Sequence, residues 1–145
     1  MEAVILAGIQ GSGKTTFALE RFFQTHVRLS LDQLKTRQKE NILLHACLAA
    51  QQPFVIDNTN VTVAARAHYL HLAKAAGFRC VLYFFETTTR QAIGRNSGRP
   101  AKQRVPNLAI LGSYKKQQAP TNQEGFDEIH KVRLTEAGFQ TAPLQ

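Results

Sequence analysis

An α/β fold is what this sequence predicts: a parallel sheet of about five strands with helices on both faces. Two patterns predict it. Apolar runs of strand length alternate with longer stretches of helical periodicity, in the order β-α-β-α-β-α-β. The first run ends in glycines and leads straight into a helical pattern, as strands of a parallel sheet do. With 145 residues the chain has the size of one domain, residues 1–145, and no Pro/Gly linker, repeat or low-complexity tract divides it.

Each element has its own signal. Ala3-Val4-Ile5-Leu6-Ala7 is a continuous apolar run and reads as a buried strand. A helix is expected from about Gly13 to Thr25, with Phe17, Leu19 and Phe22 toward the sheet. His26 to Ser30 alternates as a second strand. From Asp32 to about Gln51 the spacing of Leu34, Ile42, Leu43, Ala46 and Ala50 is helical. Pro53 to Asp57 is the third strand. Thr62 to Ala76 is an Ala-rich helix closed by Gly77. Arg79 to Phe85 is the fourth strand, followed by a short helix around Thr88–Arg95 and a Gly/Pro-containing loop to Pro106. Another helix runs to about Gln118, and Glu128 to Leu134 is the last strand.

Composition excludes several classes. At 43% apolar and 19% charged residues the chain is globular rather than disordered. No apolar run approaches the roughly 18 residues of a membrane-spanning helix, and the Met-Glu-Ala start lacks the basic region of a signal peptide. Cys47 and Cys80 fit no metal or disulfide spacing, so they read as reduced core residues of a cytoplasmic protein. The net charge of +8 is not spread evenly. Between Thr87 and Gln123 stand Arg90, Arg95, Arg99, Lys102, Arg104, Lys115 and Lys116 with no acid among them, and the other 108 residues carry only +1. That segment is a candidate anion-binding surface. A merely solvated basic face is the plainer alternative.

Gly8-Ile9-Gln10-Gly11-Ser12-Gly13-Lys14-Thr15 fits G-x-x-x-x-G-K-[ST] at every fixed position, and Thr16 continues it. Gly8, Gly11 and Gly13 let the backbone curl so that successive N–H groups, that of Ser12 included, point at phosphate oxygens. The helix that opens there adds its positive end. Lys14 reaches the β- and γ-phosphates, and the Thr15 hydroxyl is the expected ligand for Mg²⁺. The fold class narrows to that of P-loop NTPases, with ATP as the expected nucleotide. Ligands of such sheets lie beyond the carboxyl ends of the strands. Asp32 follows the second strand and Asp57 ends the third, so both carboxylates come to the edge that holds the γ-phosphate. Either could take a proton or sit near Mg²⁺. Equally, Asp32 could cap the following helix and Asp57 form a turn. Gly98 and Pro100 make the basic stretch 95–106 a poor helix, and it reads as a small basic lid whose arginines close on transferring phosphate.

The blocks GIQGSGKTTF, SLDQLK, VIDNTN with Arg66 six residues after Asn60, and RNSGRPAKQRVP together resemble the 5′-hydroxyl kinase domain of polynucleotide kinases. PTNQEGFDEI is similar to the tail of that domain, so the likeness runs from Ala3 to about Leu134. The resemblance implies ATP-dependent phosphorylation of 5′-hydroxyl DNA or RNA ends. In it Lys14 and Thr15 handle ATP and Mg²⁺, Asp32 is the general base, and Arg99 is the lid arginine on the donor phosphates with Arg95 assisting. Asp32, Lys35, Asp57, Asn58, Thr59, Asn60 and Arg66 are the residues expected on the acceptor side. One position departs from the pattern: Lys35 stands where the family often has arginine, and Arg37 is the candidate substitute. The family's accompanying phosphatase or ligase module has no room within 145 residues.

Two other readings remain open on sequence alone. The chain could phosphorylate a small alcohol such as a sugar, nucleoside or antibiotic, or it could bind NTP without transferring phosphate. Asp32 and Asp57 speak against the latter, since a binder needs no base. Tyr114 is the nearest aromatic candidate for stacking on a nucleic acid. His68 and His71 share a helix face without a third metal ligand and read as solvent-facing, while His45 and Cys47 read as packing residues.

Overall fold

All five expected strands form, and a sixth comes after them. A computed structural model describes residues 1–144, with strands β1 (Glu2–Ala7), β2 (Val27–Leu29), β3 (Phe54–Asp57), β4 (Arg79–Phe85), β5 (Glu128–Thr135) and β6 (Gly138–Pro143). Their order in the sheet is β2-β3-β1-β4-β5-β6. The first five are parallel, and β6 returns antiparallel to β5. The helices are α1 (Lys14–Arg21), α2 (Leu31–Leu34), α3 (Arg37–Ala50), α4 (Val63–Ala75), α5 (Thr89–Ser97) and α6 (Asn107–Lys116).

Period-two alternation along β1 builds both layers. Ala3, Ile5 and Ala7 face Leu44, Cys47 and Leu48 of α3 and Tyr69, Leu70 and Ala73 of α4. Val4 and Leu6 face Phe17 and Ala18 of α1 on the other side. Phe17 is the hub of that second layer, with the rings of Phe22, Tyr83, Phe85 and Phe139 centred 5.1–6.0 Å away. A smaller third cluster (Ile9, Ala92 and Ile110) seats α5 and α6 on the loop after β1. The strand order reverses beside β1, because the chain moves left to β2 and β3 and then crosses to β4. The crevice at that switch point is where this architecture places ligands.

Four expectations need correction. The helix expected over Asp32–Gln51 is two helices, broken at Lys35, whose φ is +75°; Thr36 then caps α3 by accepting from Lys39 N at 3.2 Å. The face of α3 toward the sheet is Glu40, Leu44, Cys47 and Leu48, while Ile42 is 61% exposed and Leu43, Ala46 and Ala50 point outward with it. Breaking the helix at Lys35 rotates every later residue relative to a continuous one. Leu19 is 53% exposed rather than packed on the sheet, because the buried face of α1 runs through Lys14, Phe17 and Ala18, and Leu19 lies about 200° around the helix from Phe17. Finally, β6 has one large apolar residue, Phe139, and ends in proline, so it lacks a strand pattern of its own. Pairing with β5 across a turn closed by Gly138 (φ +102°) makes it a strand. No helix among the described residues is long and apolar enough to cross a membrane.

Candidate active site

The loop after β1 owes its curl to two glycines. Gly11 (φ +80°) and Gly13 (φ +95°) hold left-handed backbone that other residues rarely adopt. A Cβ on Gly11 would also come within 2.6 Å of the Ala92 carbonyl oxygen of α5. The start of the loop is anchored from β3, where Gly8 N donates to Thr59 O at 2.8 Å. Lys14, 8% exposed, lies inside the curl and donates to the carbonyl oxygens of Gly8 (2.8 Å) and Ile9 (2.9 Å) and to Ser12 Oγ (3.3 Å). Burial lowers its pKa from the ordinary 10.5 to about 8; Asp57 opposes the shift, Arg99 adds to it and Asp32 opposes it.

Asp57 is buried at the end of β3. Thr15 Oγ1 donates to its Oδ2 at 2.9 Å, and Arg28 Nε donates to the same oxygen at 2.8 Å. A hydroxyl and a carboxylate oxygen this close at the mouth of a phosphate loop suit a hard cation such as Mg²⁺, which prefers oxygen ligands. Arg28 supplies the positive charge that a buried carboxylate requires. No sequence signal marks it, since a lone arginine on a three-residue strand carries no motif. Asp32 lies in the first turn of α2, where Ser30 and not Asp32 occupies the N-cap position, and it is exposed. Its carboxylate is thus open to an incoming group.

The loop after β3 behaves differently from expectation. Asn60 is buried and gives its amide to Leu6 O at 2.8 Å, tying the loop to β1. The Asn58 side chain bridges three elements: its Oδ1 accepts from Leu31 N (2.9 Å), and its Nδ2 donates to Glu40 Oε2 (2.8 Å) and toward Tyr69 OH (3.2 Å). Arg66 is a correction. It is 0% exposed and holds Glu124 through two bonds of 2.9 Å, Asn60 O at 3.0 Å and Gln118 O at 3.1 Å. With its donors committed inside the fold it touches no acceptor. Its partner Glu124 lies 58 residues away, in the PTNQEGFDEI block.

The basic segment is more structured than a loop. Residues 95–97 are the last turn of α5, and Asn96 closes the stretch 98–105 by accepting from Val105 N (3.0 Å) and donating to Val105 O (2.7 Å). Arg95 Nη1 donates to Gly11 O at 3.0 Å, and Arg104 Nε to Arg99 O at 2.7 Å. Lys35 is exposed. Arg37 instead lines a cavity of about 290 Å³ with Asn60, Ala65, His68 and Tyr69. Arg37 Nη1 is held by Tyr69 OH at 2.9 Å and Glu40 Oε1 at 3.3 Å. A larger cavity, about 500 Å³, opens between α5, α6 and the ends of β4 and β5, with Thr88, Gln91, Arg95, Tyr114 and Leu134 on its walls.

Known proteins agree with this frame. A family model described as an AAA domain matches residues 4–121. The bifunctional polynucleotide phosphatase/kinase of Schizosaccharomyces pombe is 27% identical over 137 residues, covering 90% of this chain and 33% of its own length. The chain spans about a third of the curated relatives it matches. Among solved structures, a chain of the Pnkp1/Rnl/Hen1 RNA repair complex superposes with a TM-score of 0.69 at 20% identity, over 98% of this chain and 48% of that one. Chaetomium thermophilum Kti12, solved with ADP-AlF3, gives a TM-score of 0.65 at 16% identity, over 93% and 92%. At these identities the structures speak for the fold.

Proposed function

The chain belongs to the AAA domain family, and from that premise we propose that it is an ATP-dependent kinase transferring the γ-phosphoryl group to a 5′-hydroxyl end of DNA or RNA. The observation that carries this reading is the shared edge of neighbouring strands: Thr15 of the phosphate loop after β1 bonds Asp57 at the end of β3 (2.9 Å), and exposed Asp32 stands in the turn that follows β2. A phosphate loop alone binds nucleotide. An open carboxylate beside it adds a place for the proton that an alcohol must lose.

In this reading the loop amides and Lys14 hold the β- and γ-phosphates, Lys14 exchanging the Gly8 and Ile9 carbonyls for phosphate oxygens. Thr15 and Asp57 would hold Mg²⁺, which when bound neutralises charge on the phosphates. The nucleoside end is assigned to the 500 Å³ cavity, where Arg95 already grips the loop through Gly11. Asp32 accepts the proton of the acceptor hydroxyl as its oxygen bonds to the γ-phosphorus and the bond to the ADP oxygen breaks. Arg37 beside the 290 Å³ cavity, rather than Lys35, is the cation assigned to an acceptor phosphate. The polynucleotide relative in S. pombe and the acid-free segment from Thr87 to Gln123 both favour a polyanionic acceptor.

The deciding experiment is incubation with labelled ATP and a panel of 5′-hydroxyl oligonucleotides, nucleosides and sugars. Label on oligonucleotides alone is the expected result; label on a sugar or nucleoside alone makes the chain a small-alcohol kinase, and none makes it a nucleotide binder. Binding of a single-stranded oligonucleotide should weaken with salt, each phosphate contact adding about 0.7 to the log–log slope.

Two further expectations arise here. Arg99→Ala should raise the transfer barrier by roughly 3–4 kcal/mol while leaving the melting temperature nearly unchanged, because the Arg99 side chain is partly exposed. Single-turnover rates and thermal melts check this, and a variant that transfers at the normal rate removes Arg99 from the chemistry. ATP affinity should fall above pH 8. Below that pH Lys14 is charged with or without nucleotide; above it the free site loses the proton and a bound triphosphate retains it. Binding then takes up a proton, and affinity drops by up to about tenfold per pH unit. Calorimetry in buffers of different ionisation enthalpy should read almost no proton uptake at pH 7 and close to one proton at pH 9.

A further inference from the structure

The turn that carries Asp32 has little packing of its own. α2 is four residues long, contains no buried residue and ends at Lys35 in left-handed backbone; only Leu34 packs partly against the core. What ties its first residue to the body of the fold is one side-chain bond, Leu31 N to Asn58 Oδ1 at 2.9 Å. Asn58 offers its oxygen there because its amide nitrogen faces Glu40 Oε2 at 2.8 Å. Glu40 is in turn a buried carboxylate, held by Tyr69 OH at 2.7 Å and by Arg37 at 3.3 Å. Tyr69 keeps its proton to donate: burial, then the bond to Glu40, pushes its pKa up to about 12.

A buried carboxylate is a costly choice at a helix position that faces the sheet beside Leu44 and Leu48, where an apolar residue would pack more cheaply. Its negative charge does one thing an apolar residue cannot. It accepts from the NH₂ end of the Asn58 amide, and so holds the amide fixed with its oxygen toward Leu31 N. The amide oxygen is left for the backbone of the turn bearing the base.

We propose that Glu40 and Asn58 are positioning residues for phosphoryl transfer: the Glu40 carboxylate orients the Asn58 amide, and that amide sets the α2 turn so that Asp32 meets the acceptor hydroxyl. The inference rests on Asp32 being the base. It does not involve the phosphate loop, so nucleotide binding is independent of it. A swap of roles tests it. In Asn58→Asp an acceptor for Leu31 N remains, but two carboxylates face each other across 2.8 Å, and their repulsion turns the side chain away from Glu40 and displaces the anchor of the turn. In the double variant Asn58→Asp/Glu40→Gln the donor sits at position 40 and the acceptors at position 58. Both the link between them and the bond to Leu31 N are then restored, and the new side chain at 40 still accepts from Tyr69.

The full chain is assayed with ATP and a 5′-hydroxyl oligodeoxynucleotide. Asn58→Asp and Asn58→Ala should lower kcat by about tenfold to a hundredfold while KM for ATP changes by less than about twofold. The double swap should return kcat to within about threefold of the wild type. On an Asp32→Asn background, Asn58→Ala should cost less than about twofold more, because its effect passes through Asp32. Normal kcat in both Asn58 variants, or failure of the swap to restore it, overturns the positioning role. Further loss in the Asp32→Asn background overturns it too. Asp32→Asn transferring at the wild-type rate overturns the assignment of the base, and a wild-type chain that leaves the oligonucleotide unlabelled overturns the proposed acceptor; either takes the inference with it.

Discussion

Lys14→Ala should lower phosphoryl transfer by about a thousandfold or more while the protein stays folded. The side chain is the cation inside the curl of the loop, and the carbonyls of Gly8 and Ile9 are its present partners. With phosphate bound those contacts pass to phosphate oxygens, whose charge grows more diffuse as transfer proceeds. The loss should therefore appear in both nucleotide affinity and kcat. Stability should change little, within about 1 kcal/mol, because removing a buried ammonium offsets the hydrogen bonds that it makes. A thermal melt separates the two effects. The wild-type chain should gain about 2.7 kcal/mol at an ATP concentration of 100 Kd, and the variant should gain almost nothing at that same concentration. A variant that still turns over ATP at a normal rate would remove the loop from the chemistry.

Arg66→Ala should have the largest effect on stability, about 3–5 kcal/mol. It leaves the Glu124 carboxylate buried without a countercharge and strips partners from the carbonyls of Asn60 and Gln118. Against a total of roughly 5–15 kcal/mol, that should lower the melting temperature by about 10 °C or more. Arg66→Lys should recover little, since an ammonium cannot make the two parallel bonds to Glu124 and still reach both carbonyls. The expected signature is a broad loss of active protein with an unchanged KM in the fraction that remains folded. A stable Arg66→Ala variant with a raised KM for the acceptor would restore Arg66 to the substrate site.

Arg66 marks where sequence reading stops. Its spacing from Asn60 belongs to the block that resembles polynucleotide kinases, and a basic residue near a phosphate site invites a substrate role. Both features are visible in the sequence; the direction of the side chain is not. The same holds for Asn58 and Asn60, whose amides are committed to the interior. Lys14, Thr15 and Asp57 are legible because a phosphate loop is written in eight consecutive residues, and because a carboxylate at a strand's end has nowhere to go but the crevice. Arg28, Glu40 and Tyr69 have no such local signature. Glu40 lies among polar residues at the start of a helix, and nothing in that stretch distinguishes a buried carboxylate from an exposed one.

By itself the sequence determined the five parallel strands, the alternation of layers, the phosphate loop and the gathering of cations into one segment. These depend on periods of two and 3.6 residues, or on turn chemistry confined to a few neighbours. The tertiary structure decided the break at Lys35, the outward turn of Ile42, the sixth strand, and the Arg28–Asp57 and Arg66–Glu124 pairs. Those partners lie 29 and 58 residues apart. Their pairing comes from strand order and helix rotation, and its energy comes from giving a buried carboxylate its countercharge, a cost and gain that exist only once the whole sheet has closed around them.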